Sequence, residues 1–361
     1  MRGRWVTFGG DVEIPRTMRQ ARLRAPYELE LADVPVPTPG DGEVVVRVRA
    51  ALTCGTDLKT YRRGHPRIPF GPFGHEGAGD IIAVGDGVPG FAVGDRVVFM
   101  PTAPCGGCGP CRLGRENLCE TLFDEIAVGT YGDAIRIPRR IVRRHLFPKP
   151  KELSYVEAAF LEPLACIVHG WRRLGQTPGR RVAVIGTGPI GLLQILEARR
   201  RGLEVAVVGR RAAAREQARR VGASHAVDAT AEDPGKALRA VWAEGPDLVI
   251  ECTGSEEVWK KAPSWVAAGG KVLLFGGLPG GTMPAFDATR LHYGEVDLIA
   301  AFHYCTEDAR AALDLLSSGA CRPRDLITET RSLASIVRVF QDLDRGAGTK
   351  YAVIPAGSGW E

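Results

Sequence analysis

The chain has 361 residues, enough for two domains with a buried core in each. With 45% hydrophobic residues, 25% charged residues and a formal net charge of +5, it has the make-up of a folded protein and not of a disordered one. Arginine supplies most of the positive charge, no window joins dense basic charge to interleaved aromatics, and no apolar run is long enough to cross a bilayer, so nucleic-acid and membrane partners are excluded. The opening MRGRWVTFGGDVEIPRTM lacks the apolar run of a signal peptide, which points to the cytoplasm. In that compartment nine cysteines, four of them crowded between Cys105 and Cys119, indicate metal before disulfide.

From about Met18 to Pro150 the chain reads as short β-type runs punctuated by Gly and Pro, among them EVVVRVRAAL, GAGDIIAV, DRVVFM and DAIRIP. This pattern predicts a barrel- or sandwich-like domain. Cys54-Gly55-Thr56-Asp57 follows one strand, and Gly74-His75-Glu76 opens a glycine-rich segment. Next comes Cys105-x2-Cys108-x2-Cys111-x7-Cys119, threaded with glycines and a proline. Four thiolates on so tight a loop make a closed tetrahedral site of the structural zinc type, and the last spacing is too long for the CxxCxxCxxxCP pattern of iron–sulfur proteins. Glu162-Pro163-Leu164 stands at the entrance to the next region. Singly, Cys54, His75, Glu76 and Glu162 are ordinary, since a Cys at a strand end is usually packing and a Glu usually a surface charge. Together they supply a thiolate, an imidazole and a carboxylate, the mixed donor set of a catalytic zinc that keeps a position for water or substrate.

From about Pro163 to Phe302 apolar runs alternate with helical stretches, from RRVAVIG through EVAVVGRR, DLVIECTG and KVLLFGG to VDLIAAF. Alternation of this kind predicts a parallel sheet covered by helices. The first strand leads into Gly186-Thr187-Gly188-Pro189-Ile190-Gly191 and an apolar helix. In that setting the glycines allow the tight turn, the approach of backbone to a pyrophosphate and the packing of helix on strand, while the helix amides supply the anion site. An acid ending the second strand would hold a free ribose 2′-hydroxyl. The strand ends instead in Gly209-Arg210-Arg211, whose guanidiniums suit a 2′-phosphate, so NADP is expected over NAD. The same two arginines also fit the exposed start of a helix in an Arg-rich chain. Thr253 and Gly276, with Gly277, end later strands on the side where such sheets bind ligands, which places them near the nicotinamide ribose. Cys166, one helical turn beyond Glu162, either lines the nicotinamide pocket or packs in the core. TEDARAALDLLSSG and LASIVRVFQDL read as amphipathic helices and KYAVIP as a last strand. The α/β domain, 165–303, is therefore expected as an insertion in a β-rich domain formed by 1–164 and 304–361.

Gly74-His75-Glu76-x2-Gly79-x5-Gly85-x2-Val88, the four-cysteine loop and the glycine turn together resemble the medium-chain zinc-containing alcohol dehydrogenase family, over nearly the whole chain from Met18 to Pro355. The resemblance implies an α/β protein in which a doubly wound Rossmann sheet is inserted in a GroES-like catalytic domain, with the active site in the cleft between them. It implies a homodimer or homotetramer, with VDLIAAF as a candidate interface strand. It implies a catalytic and a structural zinc and a small-molecule alcohol as substrate. Hydride would pass between the nicotinamide and the carbon bearing the oxygen, with zinc as Lewis acid on that oxygen.

By the same resemblance Cys54 and His75 are zinc ligands, Asp57 orients the His75 ring and Thr56 hands the alcohol's proton outward. Glu162 stands where the simple-alcohol branch has Cys and where the sorbitol, threonine and glucose dehydrogenase branches have Glu, which points to a polyol, sugar or amino alcohol. Either Glu76 binds the metal while Glu162 acts through water, or the two exchange. Many relatives carry a relay His where this chain has Lys59, which relays only if its pKa is lowered and is otherwise a solvated side chain or a contact to NADP or substrate. Substrate choice is expected on loops near Tyr61, Arg62, Arg63 and His65 or around Phe123 and Asp124. Two other readings stay open: a zinc-independent enone or quinone reductase on the same fold, which has no use for Cys54, His75 and Glu162, and an idle NADPH-binding protein, since a fold alone does not fix a function.

Overall fold

The computed structural model describes residues 5–7 and 13–355, with side chains from residue 15 onward. Half of the opening segment read for a signal peptide lies outside the described residues. Among those described, no helix is long and apolar enough to cross a membrane. The chain divides into two compact units, one formed by Met1–Ala165 with Tyr304–Glu361 and the other by Cys166–His303.

The first unit is organised around strand Val44–Leu52, whose valines and alanines are buried almost throughout. β-Branched residues with no exposed face suit a strand bonded on both edges. One edge pairs antiparallel with Glu76–Val84, and the other is shared by Ala134–Ile137 and Tyr351–Ile354. Strands Arg96–Phe99 and Leu146–Pro148 extend the sheet on one side, and Glu329–Ser332 extends it on the other, parallel to Tyr351–Ile354. A Cβ at Gly79 would lie 1.9 Å from the Arg47 carbonyl oxygen, so only glycine lets these two strands approach. A second sheet joins Thr17–Ala25 to Glu28–Pro35 and Gly71–Pro72. Helix Ile336–Asp344 turns Ile336, Val339, Phe340 and Leu343 onto the core, the spacing of one apolar face. These side chains belong to one core with Val46, Val48, Ile81 and Phe99 of the sheet.

Register decides what the sheet delivers. Leu52 stands opposite both Glu76 and Ala352, so three strands reach the same end of the sheet together. Residues 54, 75–76 and 350, far apart in the chain, are thereby neighbours.

In the second unit six parallel strands run in the order His225–Asp228, Glu204–Gly209, Arg181–Ile185, Leu248–Glu251, Lys271–Leu274 and Asp297–Ala300. Their near-continuous apolar runs are those of a sheet covered on both faces. The order reverses between Arg181–Ile185 and Leu248–Glu251, the crevice where doubly wound sheets take dinucleotides. The chain turns there through Gly186, at φ 112°, into helix Pro189–Arg200, with the proline in its first turn. A Cβ on Gly191 would come within 1.9 Å of the Gly186 carbonyl oxygen, so the helix packs on the turn only with glycine at that position.

Candidate active site

Cys54 caps helix Gly55–Arg63. Its sulfur accepts the Thr56 amide at 3.4 Å, and its own amide donates to Asp57 Oδ2 at 3.2 Å. Cys-Gly-Thr-Asp is thus a capping box in which the acid at the third helical position holds the cap in place. The arrangement leaves the sulfur at a helix N-terminus, where the dipole favours a thiolate.

Asp57 does more than cap. Its Oδ1 lies 2.9 Å from His75 Nδ1, and its Oδ2 accepts the Tyr131 hydroxyl at 2.5 Å. Buried and bonded on both oxygens, it fixes the imidazole and leaves Nε2 as the ring nitrogen for a metal, with the Cys54 side chain within hydrogen-bonding reach of the ring. Glu76, with no exposed surface, accepts from Lys350 Nζ at 2.6 Å through Oε2, and Lys350 also donates to the Thr53 carbonyl at 2.8 Å. The other carboxylate oxygen, Glu76 Oε1, is buried with no hydrogen-bond partner.

One donor atom each from Cys54, His75 and Glu76 fall within 4.8 Å of one another. A buried carboxylate oxygen without a partner is costly, and a cation held beside the thiol and the imidazole would satisfy it. The donor set, one sulfur, one nitrogen and one oxygen with room for a fourth ligand, fits zinc. Glu162, second residue of helix Leu161–Leu174, is buried outside this triad, close enough for its charge to act on Glu76.

The electrostatics suit the same ion. Burial pushes the Glu76 carboxyl up to about 7, with Lys350 opposing and Glu162 reinforcing the rise. Burial and then the Glu76 charge raise the Cys54 thiol. Burial pulls the His75 ring down, but the charge and hydrogen bond of Asp57 outweigh it and hold the ring well above its ordinary range. Without metal the cluster therefore retains protons that a divalent cation displaces.

Lys350 anchors this corner from the far end of the chain. Truncating one partner of a buried pair leaves the other charge uncompensated, so Lys350→Met is expected to destabilise the metal-free protein by about 3–5 kcal/mol, read as a shift of the urea midpoint at constant slope.

A small recess adjoins the cluster, its wall including Thr56, Ile68, Phe73, His75 and Val128. Some residues expected to choose substrate are committed elsewhere. Tyr61 is buried against Tyr27 and Phe340, at ring-centroid distances of 5.2 and 5.5 Å. Arg62 pairs with Asp344 at 2.6 Å, and His65 Nδ1 accepts the amides of Arg67 and Ile68 at 3.1 Å. The Arg67 guanidinium in turn lies over the Phe123 ring, 5.0 Å from its centroid. Lys59 is exposed.

Cys105, Cys108, Cys111 and Cys119 form a second donor cluster, their sulfurs all within 4.8 Å of one another, and none of the nine cysteines is in a disulfide. Cys105 and Cys111 sulfurs are 4.0 Å apart. Ligands about 2.3 Å from one tetrahedral ion sit roughly 3.8 Å apart, so the loop already has the size of a closed zinc site. Cys105 Sγ accepts the amides of Gly107 at 3.4 Å and Cys108 at 3.3 Å, and these bonds hold its pKa down at about 6. Burial pushes Cys111 up to about 12.

In the second unit Arg210 and Arg211 are exposed where strand Glu204–Gly209 meets helix Ala212–Arg220. A side chain on Gly209 would strike Thr187, its Cβ 2.4 Å from the Thr187 methyl. Arg215, passed over in the sequence, donates to the carbonyls of Gly209 at 3.0 Å and Arg210 at 2.9 Å and to Asp228 Oδ2 at 2.6 Å, clamping this turn. Glu251, the one acid in the buried strand Leu248–Glu251, was also missed. It accepts the Thr253 hydroxyl and amide, the latter at 2.6 Å, the Gly254 amide at 3.0 Å and Trp259 Nε1 at 3.1 Å, while the same indole nitrogen reaches the Gly276 carbonyl at 2.8 Å. Thr253 and Gly276 are thus held together at the end of the sheet by a carboxylate beneath them.

Residues 40–150 match the model of the alcohol dehydrogenase GroES-like domain and residues 189–318 that of zinc-binding dehydrogenases. The chain is 31% identical to a sorbitol dehydrogenase of Bacillus subtilis over 329 residues, 89% of this chain and 92% of that one. It is 30% identical to a sorbitol dehydrogenase of Homo sapiens over 343 residues, 91% of this chain and 93% of that one. A crystal structure from Sinorhizobium meliloti 1021, described as a zinc-binding dehydrogenase bound to NADP, superposes with a TM-score of 0.85 at 32% identity, covering 94% of this chain and 99% of that one. The class is therefore the medium-chain alcohol dehydrogenases, with a GroES-like unit and a Rossmann-type unit in one chain. Within that class this chain belongs to the zinc-containing family, on its sorbitol-like branch.

Proposed function

We propose that the protein is a zinc-dependent oxidoreductase that moves a hydride between NADP(H) and a secondary alcohol or its ketone, the alcohol being a polyol, a sugar or an amino alcohol. The observation that carries this reading is the buried, unpartnered Oε1 of Glu76, whose carboxylate lies with the Cys54 sulfur and the His75 ring in one group of donor atoms within 4.8 Å of one another. Cys54, His75 and Glu76 would hold the metal, with Glu162 as the neighbouring carboxylate that can replace Glu76 or act through water. Zinc bound there supplies Lewis acidity that lets a substrate hydroxyl lose its proton near neutral pH. Asp57 keeps the His75 ring in one tautomer and orientation. Thr56, on the wall of the adjoining recess, carries the proton outward. The dinucleotide pyrophosphate would rest on the amides that open helix Pro189–Arg200. The names of the sorbitol dehydrogenase relatives and the carboxylate at position 162 support a polyhydroxylated substrate.

The preference for NADP rests on Arg210 and Arg211, on the absence of an acid at the end of their strand and on the NADP bound in the Sinorhizobium relative. Two charge-assisted hydrogen bonds of about 1.5–3 kcal/mol each make Arg210→Ser/Arg211→Ser lose roughly a hundredfold or more in kcat/KM with NADP, while the value with NAD holds steady. A panel of polyols, sugars and amino alcohols assayed with both cofactors tests the proposal. Turnover confined to enones or quinones, or a clear preference of the unmodified enzyme for NAD, would overturn it.

A further inference from the structure

The first unit carries a cavity of about 470 Å³ that shares no residue with the Cys54–His75–Glu76 cluster or the recess beside it. Five arginines line it: Arg139, Arg140, Arg143 and Arg144 on helix Arg139–His145, and Arg310 on helix Thr306–Ser317. Its only carboxylate is Glu125, and Cys105 of the four-cysteine loop forms part of the wall.

The sequence RRIVRRH produces this lining. Ile141, Val142 and His145 turn into the core, which leaves the guanidiniums of Arg139 and Arg143, and of Arg140 and Arg144, as pairs one helical turn apart. Like charges at that spacing repel and call for a counter-charge. His145 fixes the opposite wall, since its Nδ1 lies 2.6 Å from the Thr102 carbonyl and its Nε2 2.9 Å from Thr306 Oγ1, the first residue of the helix that presents Arg310. Burial holds this ring down at about 4 against the Thr102 hydrogen bond and the Glu116 charge, with Arg144 and Arg310 adding to the fall, so the ring is neutral and its Nδ1–H donates to the Thr102 carbonyl.

Only Arg140 is neutralised within the cavity. It pairs with Glu125 at 3.0 Å and donates to the Thr121 carbonyl at 2.7 Å. Among the described residues Arg139, Arg143, Arg144 and Arg310 have no carboxylate partner, and a four-thiolate zinc loop at the wall, with a net charge of about −2, leaves a positive excess.

We propose that this cavity binds a small phosphorylated polyanion, with Arg139, Arg143, Arg144 and Arg310 as its guanidinium clamps. Its volume is that of a small-ligand site. Four guanidiniums offer more forked donor pairs than a single sulfate can engage, and two linked phosphates present enough oxygens to take them all. The occupant joins helix Arg139–His145, helix Thr306–Ser317 and the cysteine loop, so binding raises the stability of this unit. The proposal is independent of the dehydrogenase reading.

Calorimetric titration of the zinc-loaded protein with inorganic pyrophosphate, at constant ionic strength and with NADP present to fill the dinucleotide crevice, tests it. One saturable site per chain is expected, at least tenfold weaker in Arg143→Gln/Arg310→Gln, and at least tenfold weaker for sulfate than for pyrophosphate. Chelation by pyrophosphate is common to both proteins and drops out of the comparison. Both replaced side chains are exposed, and should the double variant melt early, the single variants, each expected to weaken binding at least threefold, carry the same comparison. Equal affinity in wild type and variants, equal affinity for sulfate, or no saturable binding overturns the proposal.

Discussion

Cys54→Ala is expected to lower turnover by about three orders of magnitude or more while NADPH binding, followed by fluorescence titration, stays within twofold. A metal that stabilises developing charge is worth several kcal/mol, and each 1.36 kcal/mol is a factor of about ten in rate. The glycine turn and Arg210–Arg211 belong to the other unit of the chain, so the substitution leaves them alone. Cys54 also accepts the Thr56 amide as a helix cap, and Cys54→Ser separates the two duties. The hydroxyl keeps a cap acceptor but is a poor zinc ligand, so the serine variant should fold with wild-type stability and still be inactive. A serine variant as active as the wild type would place the chemistry elsewhere.

The second large effect concerns stability. Structural zinc sites in small domains contribute about 10–16 kcal/mol of apparent binding free energy, and part of that is folding energy. Cys111→Ser breaks a closed four-sulfur site, so it should cost several kcal/mol in urea denaturation and lower the metal content from two zinc ions per chain to one. Activity per folded molecule should persist at low temperature, because Cys54, His75 and Glu76 lie in a separate cluster. A wild-type content of one zinc, with the four-cysteine loop filled, would instead favour the metal-independent reductase.

The parts legible in the sequence were those whose signal is local. Four cysteines within fifteen residues, a strand running into Gly186-Thr187-Gly188-Pro189-Ile190-Gly191, and apolar runs alternating with helices each announce their structure within one or two elements. Cys54 and His75 were legible as members of a mixed donor set and of a family pattern, but no local signal brings them together, because their proximity comes from the pairing of Leu52 with Glu76 across the sheet. Lys350 carried no signal at all. It sits at the head of an apolar strand, and its partner is 274 residues away. Glu251 was hidden for a different reason, since an acid ending a buried strand reads as a boundary until the amides and the indole that surround it are known. Substrate choice is expected on loops near Tyr61 and Arg62, but both residues lie on a helix, which the short polar segment does not announce in one dimension. In three dimensions helix Gly55–Arg63 uses both to dock against helix Ile336–Asp344.

The choice between Glu76 and Glu162 turns on one buried oxygen. Among the described residues Glu76 Oε1 has no hydrogen-bond partner, while Oε2 is held by an ammonium that keeps the carboxylate from swinging away. On the proposed reading Glu76 is the resting ligand, with Glu162 as the neighbouring carboxylate that can replace it or act through water.

The most direct measurement is the rate of polyol oxidation with NADP before chelation, after removal of the metal from the cluster of Cys54, His75 and Glu76, and after zinc is returned. Activity should disappear as the zinc is lost from that cluster and return in proportion to zinc added back. Turnover that survives in protein shown to hold no zinc there would contradict it.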